Sequence, residues 1–522
     1  MKKSNVKKLL AIGLVAVATL QVAAQKEARP NVVYILADDL GYGDVQCLNP
    51  ERGKIATPHM DRLAAEGMTF TDAHTTSSVC TPTRYGILTG RYNWRTKLQR
   101  HVLDGYGQPL IPTDRMTVPS FLQKNGYTTA MIGKWHLGLG IQTIDGKPAK
   151  PAANIRKIER KVAHPTEALS NIDWKGTIEG GPVDLGFDSW FGITASLDFP
   201  PYVWIRDRNW IAEGTHVKAF RRPGPASEDF EAVEVLDKLA AESVSFIKTY
   251  QSDKPFFAYI PLPSPHTPIV PTDKWKGKSG ISDYGDFVMQ TDDFVGQVVK
   301  ALDESGLSEN TIVIVTSDNG CSRAAKFDVL ESHGHFASAQ YRGSKADLWE
   351  GGHRVPFLVK WPKAIEAGSV SDVLTCQTDL MATLADLLGK ELPPDAGEDS
   401  ESILPAFIGK PVVHSRKGIV HHSVSGHFAY RQGNWKLLLA KGSGGWTAPN
   451  EKAAAEVGAP VAQLYDLAKD PGETTNLYAT HPEVAERLLA QLEADVSRGR
   501  STAGPAGRND VDEIALWKSG KE

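Results

Sequence analysis

Asn31-Val32-Val33-Tyr34-Ile35-Leu36 is a compact apolar run that gives way at once to Ala37-Asp38-Asp39-Leu40-Gly41-Tyr42-Gly43-Asp44. The run has the length and β-branched content of a strand buried on both faces. Two adjacent carboxylates at its end can offer oxygen ligands to a hard divalent cation, and the glycines let the backbone fold around one. Acidic turns are common, so the pair by itself favours the plainer reading.

The arrangement recurs along the chain. A strand over Tyr127 to Ile132 delivers Gly133-Lys134-Trp135-His136, where alternation puts a cation and a titratable base on one side. A strand over Pro255 to Ile260 runs into Pro261-Leu262-Pro263-Ser264-Pro265-His266-Thr267-Pro268, whose prolines hold His266 in a stiff, extended presentation. Thr311 to Thr316 precedes Ser317-Asp318-Asn319-Gly320, with two more oxygen ligands. Helical patterns over 57–66, 118–124, 228–250, 283–307 and 379–388 alternate with these strands, which predicts an α/β fold with a large, mostly parallel or mixed sheet flanked by helices. In such sheets ligands bind outside the carboxyl ends of the strands, so the four loops should gather at one edge. Three carboxylates and an amide suit calcium or magnesium, with calcium favoured for its tolerance of irregular oxygen shells. No Cys/His ligand pattern speaks for structural zinc.

Between the first two of these strands a further strand over Met68 to His74 leads toward Ser78-Val79-Cys80-Thr81-Pro82-Thr83-Arg84-Tyr85-Gly86-Ile87-Leu88-Thr89-Gly90-Arg91. Pro82 fits the first turn of a helix that Gly90 ends, so Cys80 should sit beside free N–H groups and the positive end of the dipole. Arg84, one turn on, could share its pocket and bind a tetrahedral oxyanion.

Cys80-Thr81-Pro82-Thr83-Arg84 with Leu88-Thr89-Gly90-Arg91 resembles the signature of type I sulfatases, in which Ser or Ala is more frequent than Thr83. The likeness extends to Asp38-Asp39, Gly133-Lys134-Trp135-His136, His266, Asp318-Asn319, Lys345 and Leu464-Tyr465-Asp466-Leu467. It implies an alkaline-phosphatase-like catalytic domain with a smaller C-terminal subdomain, and Cys80 converted to formylglycine by a formylglycine-generating or anaerobic sulfatase-maturating enzyme. It also implies one calcium ion held by Asp38, Asp39, Asp318, Asn319 and residue 80. Arg84, Lys134 and Lys345 would neutralise the sulfate oxygens, a hydrated formylglycine would attack sulfur, and His266, with Lys345, would protonate the leaving oxygen. His136 would take a proton from the second hydroxyl and expel sulfate. Competing readings are a phosphatase, phosphodiesterase or phosphonate hydrolase of the same superfamily, and a secreted glycan-binding protein without turnover.

The 522 residues allow one large domain and a smaller one. Residues 1–24, with four lysines, an apolar stretch from Leu9 to Leu20 and Val22-Ala23-Ala24, read as a cleavable export signal too short to span a membrane. No cysteine follows it, so no lipid anchor is expected, and the product should be periplasmic or secreted. Residues 25–405 are assigned to the catalytic domain, 406–500 to an α/β subdomain with a small antiparallel sheet and a helix, and 501–522 to a loosely ordered tail. Without its signal the chain carries 54 basic and 62 acidic residues, which argues against nucleic acid as a partner. Four cysteines make no disulfide scaffold.

Residues 141–182 are polar and poorly periodic, and read as a lid or a long loop. A sulfated carbohydrate is the substrate the resemblance implies, with galactose or N-acetylgalactosamine sulfates favoured. Ser196, His335, His422, Arg431 and Trp435 are candidates to bind the sugar, although side chains of these types are more often structural.

Overall fold

The computed structural model describes residues 29–518; the expected export signal lies outside them. Ten strands form one mixed sheet in the spatial order Ser369–Ser371, Met68–Phe70, Phe357–Lys360, Thr311–Ser317, Asn31–Ala37, Phe256–Pro261, Thr128–Lys134, Ser189–Ile193, Ile205–Arg206 and Asn209–Trp210. The five consecutive strands from Thr311–Ser317 to Ser189–Ile193 are parallel, and the strands at both edges bring the antiparallel pairs. Asn31–Ala37 is central because Val32 to Ala37 are all buried, as a strand covered on both faces requires. Its even residues Val32, Tyr34 and Leu36 join one core and its odd residues Val33, Ile35 and Ala37 the other. The helices Val235–Thr249 and Asp283–Glu304 cover the second face.

Register sets the site. Leu36 lies opposite both Pro261 and Thr316, so the chains leaving the three central strands emerge side by side. A four-stranded antiparallel sheet, Ile419–His422, Phe428–Gln432, Trp435–Leu438 and Gln463–Asp466, forms the subdomain with the helix Pro482–Ser497 packed on it. Ser77 bridges to His422, joining the segment before Cys80 to the edge of that small sheet.

Four expectations need correction. Met68 to His74 is not one strand: it breaks at Thr71-Asp72 because Asp72 turns inward to pair with Arg354 and Arg431. The 228–250 helix begins only at Val235, after a tight turn over Ala232–Glu234. Of the two readings of 141–182 the lid is the one to drop: the segment contributes no residue to the catalytic cavity described below, and Leu169, Ile172, Trp174 and Ile178 are buried, which ties it down as a long loop elsewhere. The tail is anchored as far as residue 518: Asp510 pairs with Arg91, Asn509 bonds Arg95, and Ile514 and Leu516 pack on the subdomain core.

Candidate active site

Backbone hydrogen bonds bring the acidic residues together. Asp38 N–H donates to the Ser264 carbonyl at 2.8 Å, and Asp318 N–H to that of Ala37 at 3.0 Å. Asp39 adopts φ 68°, which turns the second carboxylate back toward the first, and its N–H reaches Asp318 Oδ1 at 3.3 Å. Gly133 has φ 140°, and a Cβ there would lie 2.0 Å from the Pro261 carbonyl oxygen. Only glycine lets this strand approach so closely while delivering Lys134.

Each carboxylate has a cation. Lys134 Nζ lies 2.5 Å from Asp38 Oδ2, Lys345 Nζ 2.5 Å from Asp39 Oδ1, and Arg84 donates to Asp318 Oδ2 from Nε at 3.0 Å and from a terminal nitrogen at 2.8 Å. Asn319 Nδ2 donates to Asp39 Oδ1 at 2.7 Å. Two buried oxygens, Asp38 Oδ1 and Asn319 Oδ1, have no partner among the described residues. Buried lone pairs without a donor are costly unless a ligand satisfies them. Burial raises the Asp318 carboxyl and the Asp38 charge raises it further, whereas at Asp38 burial is outweighed by Lys134, His266 and Arg84, which hold it well below the usual carboxylate range. Asp38, Cys80 and Asp318 each offer an atom within 4.8 Å of the others. An all-oxygen donor set with two unfilled acceptors fits a hard divalent cation.

Cys80 opens the helix Cys80–Thr89, all of whose residues are buried. Burial pushes its thiol up to about 11, despite the lowering effect of Lys134 and Lys345, so the unmodified side chain is a protonated thiol at neutral pH and a poor nucleophile. Cys80, His266 and Lys345 line a cavity of about 530 Å³ together with Ser196, Arg222, Arg323 and Trp446.

The two histidines differ in ways set by their bonds. His136 is buried and its Nε2 faces the Leu103 carbonyl at 2.7 Å; a carbonyl only accepts, so Nε2 carries the proton and Nδ1, which has no partner among the described residues, is a free base. Burial, then the charges of Lys134 and Arg84, hold its pKa well below the ordinary value. His266 donates from Nδ1 to the Thr267 carbonyl at 2.6 Å and turns Nε2 to within 3.8 Å of Asp39 Oδ2 on the cavity side.

Residues 30–390 match the family model described as Sulfatase. The chain belongs to the sulfatase family. It is 31% identical to the N-acetylgalactosamine-6-O-sulfatase of Bacteroides thetaiotaomicron over 91% of its own length and 94% of that relative. Identity to the steryl-sulfatase of Rattus norvegicus is 30%, over 91% of this chain and 90% of the other. A solved structure from work on glycosaminoglycan metabolism by Bacteroides thetaiotaomicron superimposes with a TM-score of 0.76 at 31% identity, covering 90% of this chain and all of that one. This sulfatase is a sulfuric ester hydrolase.

Not every residue singled out in the sequence reaches the sulfatase cavity. Arg84 and Lys134 are fully buried behind it, where they lock Asp318 and Asp38 and so act on the pocket through those carboxylates. Ser196 does line the cavity, with a hydroxyl that has no partner among the described residues. His335 does not line the catalytic cavity; it is buried, with Nε2 against Asp44 at 2.8 Å and Nδ1 accepting the Lys54 N–H, so both ring nitrogens are already engaged. His422 is buried, and its carbonyl takes the Ser77 hydroxyl at 2.7 Å and the Ser78 N–H at 3.0 Å. Arg431 is paired with Asp72 at 2.7 Å in the junction with the subdomain, and Trp435 packs on His481. A lone polar side chain carries no mark in sequence that separates a buried ion pair from a cavity wall. Sequence reasoning missed Arg222, Arg323 and Trp446; the one signal available for Trp446 was an aromatic in the loop Ser443-Gly444-Gly445-Trp446.

A second buried cluster, His74, Glu350, His353 and His421, also brings ligand-type atoms together. It is already neutralised: Arg354 and Lys436 pair with Glu350 at 2.8 and 2.9 Å, and His74 Nδ1 meets His353 Nδ1 at 3.0 Å. Three cations, Arg354, Arg431 and Lys436, match Asp72, Glu350 and Glu473 around it, so it serves the domain junction.

Proposed function

We propose that this sulfatase removes O-sulfate groups from a glycan, with residue 80 carried as formylglycine and one calcium ion among Asp38, Asp39, Asp318 and Asn319. The observation that carries the reading is the meeting of a buried, protonated Cys80 at a helix start with two partnerless buried oxygens, Asp38 Oδ1 and Asn319 Oδ1. The cation would draw charge from the sulfate oxygens. A hydrated formylglycine supplies a geminal-diol oxygen as nucleophile and a second hydroxyl through which sulfate can leave.

The remaining work falls to the chain's own side chains. Lys345 presents its ammonium in the cavity and offsets charge on the departing group, while Lys134 and Arg84 hold Asp38 and Asp318 in place. His266 delivers a proton from Nε2 to the leaving oxygen, because Nδ1 is committed to Thr267. His136 Nδ1, unpartnered and kept neutral, takes the proton of the second hydroxyl. A glycan substrate is supported by the relative that acts on N-acetylgalactosamine 6-O-sulfate and by the neighbour from glycosaminoglycan metabolism. Galactose or N-acetylgalactosamine sulfates are the first to test.

The lysines and apolar stretch of residues 1–24 support export as part of this reading, and formylglycine would need a maturation enzyme as partner. The test is a panel of defined sulfated sugars beside an aryl sulfate and an aryl phosphate, with peptide mass spectrometry at position 80. Turnover of sulfated sugars by material bearing formylglycine is expected; full activity in material bearing only cysteine would overturn the assignment.

A further inference from the structure

The catalytic cavity has a neighbour. A larger cavity of about 760 Å³ lies beside it, and Arg323 lines both. The peptide Trp446-Thr447 is shared in the same way, Trp446 facing the catalytic cavity and Thr447 the larger one. Arg323 donates to the Trp446 carbonyl at 2.8 Å, so the common wall is a bonded unit. It is braced from behind, because the Trp446 and Thr447 N–H groups both donate to Asp347 Oδ1.

The larger cavity is cationic. Arg52, Arg323, Lys326 and Arg342 line it against the two carboxylates Asp328 and Glu331. Among the described residues none of these four cations is ion-paired, whereas the buried cations of the catalytic centre all are. Arg52 and Arg342 are held in fixed orientations instead, their guanidinium groups lying 3.5 Å over the Phe336 ring and 3.6 Å over the Trp349 ring. A guanidinium stacked through its face keeps edge N–H donors for a planar or tetrahedral anion, and Arg342 does so while one terminal nitrogen donates to the Glu473 carbonyl at 2.8 Å. Trp446 is 49% exposed at the boundary, an aromatic face of the kind on which a sugar ring can lie.

We infer that the two cavities form one extended site for a polyanionic oligosaccharide: the sulfated sugar enters beside Cys80, its neighbour crosses Trp446, and an anionic group on that neighbour is held by Arg323, Arg52 and Arg342. This deepens the glycan reading above and rests on it. The second anion is a sulfate or a carboxylate, since a guanidinium pairs bidentately with either. A sulfatase selective for isolated monosaccharide sulfates would have no use for four unpaired cations next to its catalytic pocket.

The test compares kcat/KM on sulfated disaccharides that share the same terminal sulfated sugar and carry a sulfate, a carboxylate or no charge on the neighbour, with the sulfated monosaccharide alongside. An anionic neighbour should raise kcat/KM about 10- to 100-fold over the neutral one at low salt, the span of one or two charge-assisted hydrogen bonds. That advantage should shrink as sodium chloride rises, because exposed ion pairs are screened. Arg52→Gln with Lys326→Gln, at two residues that line the larger cavity and not the catalytic one, should remove most of it, and the salt series on unaltered protein tests the same point without substitution. Preference for sulfate or for carboxylate identifies the anion. Equal turnover of neutral and anionic disaccharides, or an advantage that survives in the double variant, overturns the inference while leaving the glycan reading standing. Turnover of an aryl sulfate with none of the sugars overturns both.

Discussion

Two buried clusters in this sulfatase have the same charge count and opposite purposes. At the strand ends Asp38, Asp39 and Asp318 face Arg84, Lys134 and Lys345; at the subdomain junction Asp72, Glu350 and Glu473 face Arg354, Arg431 and Lys436. Counting charges would not tell them apart. What separates them is access and the kind of atom left over. The first opens on a cavity and leaves the acceptor oxygens Asp38 Oδ1 and Asn319 Oδ1 without donors among the described residues; in the second all three acids are paired, the atom left over is the ring nitrogen His421 Nε2, and the space is filled by stacked imidazoles, with His353 and His421 rings 3.7 Å apart. Unfilled oxygens beside a cavity suit a ligand, whereas paired acids enclosed by protein act as a fastening.

The comparison breaks most sharply at Cys80. Cys80→Ala should lower turnover by about 10⁵-fold or more, as loss of a nucleophile does, while the urea midpoint stays within error of the unaltered protein. A variant that keeps turnover would remove the strand-end cluster from the chemistry. Next come the histidines, where positioned acid–base groups contribute about 10²- to 10⁴-fold. His266→Ala should hurt sugar sulfates far more than an aryl sulfate, whose leaving phenolate needs little protonation. His136→Ala should slow both alike, with alcohol released in a burst ahead of sulfate. The reverse pattern would show that the roles are exchanged.

The junction should answer in stability alone. Glu350→Gln leaves three buried cations, Arg354, Arg431 and Lys436, facing only Asp72 and Glu473, and this unmatched charge should cost about 3–5 kcal/mol in denaturant unfolding, with kcat per folded molecule within twofold. A large loss of kcat in folded protein would mean that the junction reaches the chemistry. Chelation should act on the other cluster only: activity falls, and added calcium at about 100 times its Kd restores it with about 2.7 kcal/mol of stability. Stoichiometric zinc, or unchanged activity after chelation, contradicts the oxygen site.

The smallest effect is a pH slope. Burial depresses His74 to about 4, below its unfolded value of 6.5, so the folded chain refuses a proton that the unfolded chain accepts. Its contribution to stability is therefore present above pH 6.5 and lost as pH falls toward 4, by up to about 3 kcal/mol. His74→Gln should lack that slope, and the gap in urea midpoint between the two proteins should narrow from pH 7 to pH 4.5. A gap that widens would mean His74 is held charged.

The strand-end cluster was legible in the sequence because its parts are local. Strands such as 31–37 and 311–317 announce themselves by apolar runs, and each is followed within two residues by the polar groups it delivers. The junction was not legible: Asp72 and Arg431 are 359 positions apart, and nothing near either says that they meet. For the same reason Arg431, His335 and His422 look like sugar ligands in the sequence, and Met68 to His74 looks like one strand. It also hid the larger cavity, whose cations come from segments near 52, 323 and 342 with no shared pattern.

The tail has a further consequence, in time rather than in space. Arg91, just past the Cys80 helix, is gripped by Asp510 across a separation of 419 residues, and Arg95 by Asn509. A chain made from its amino end cannot close these bonds until residues 509 and 510 have been synthesised. The segment bearing Cys80 thus receives these fastenings more than four hundred residues late, and under the proposed reading an enzyme that modifies residue 80 would have that interval in which to reach it.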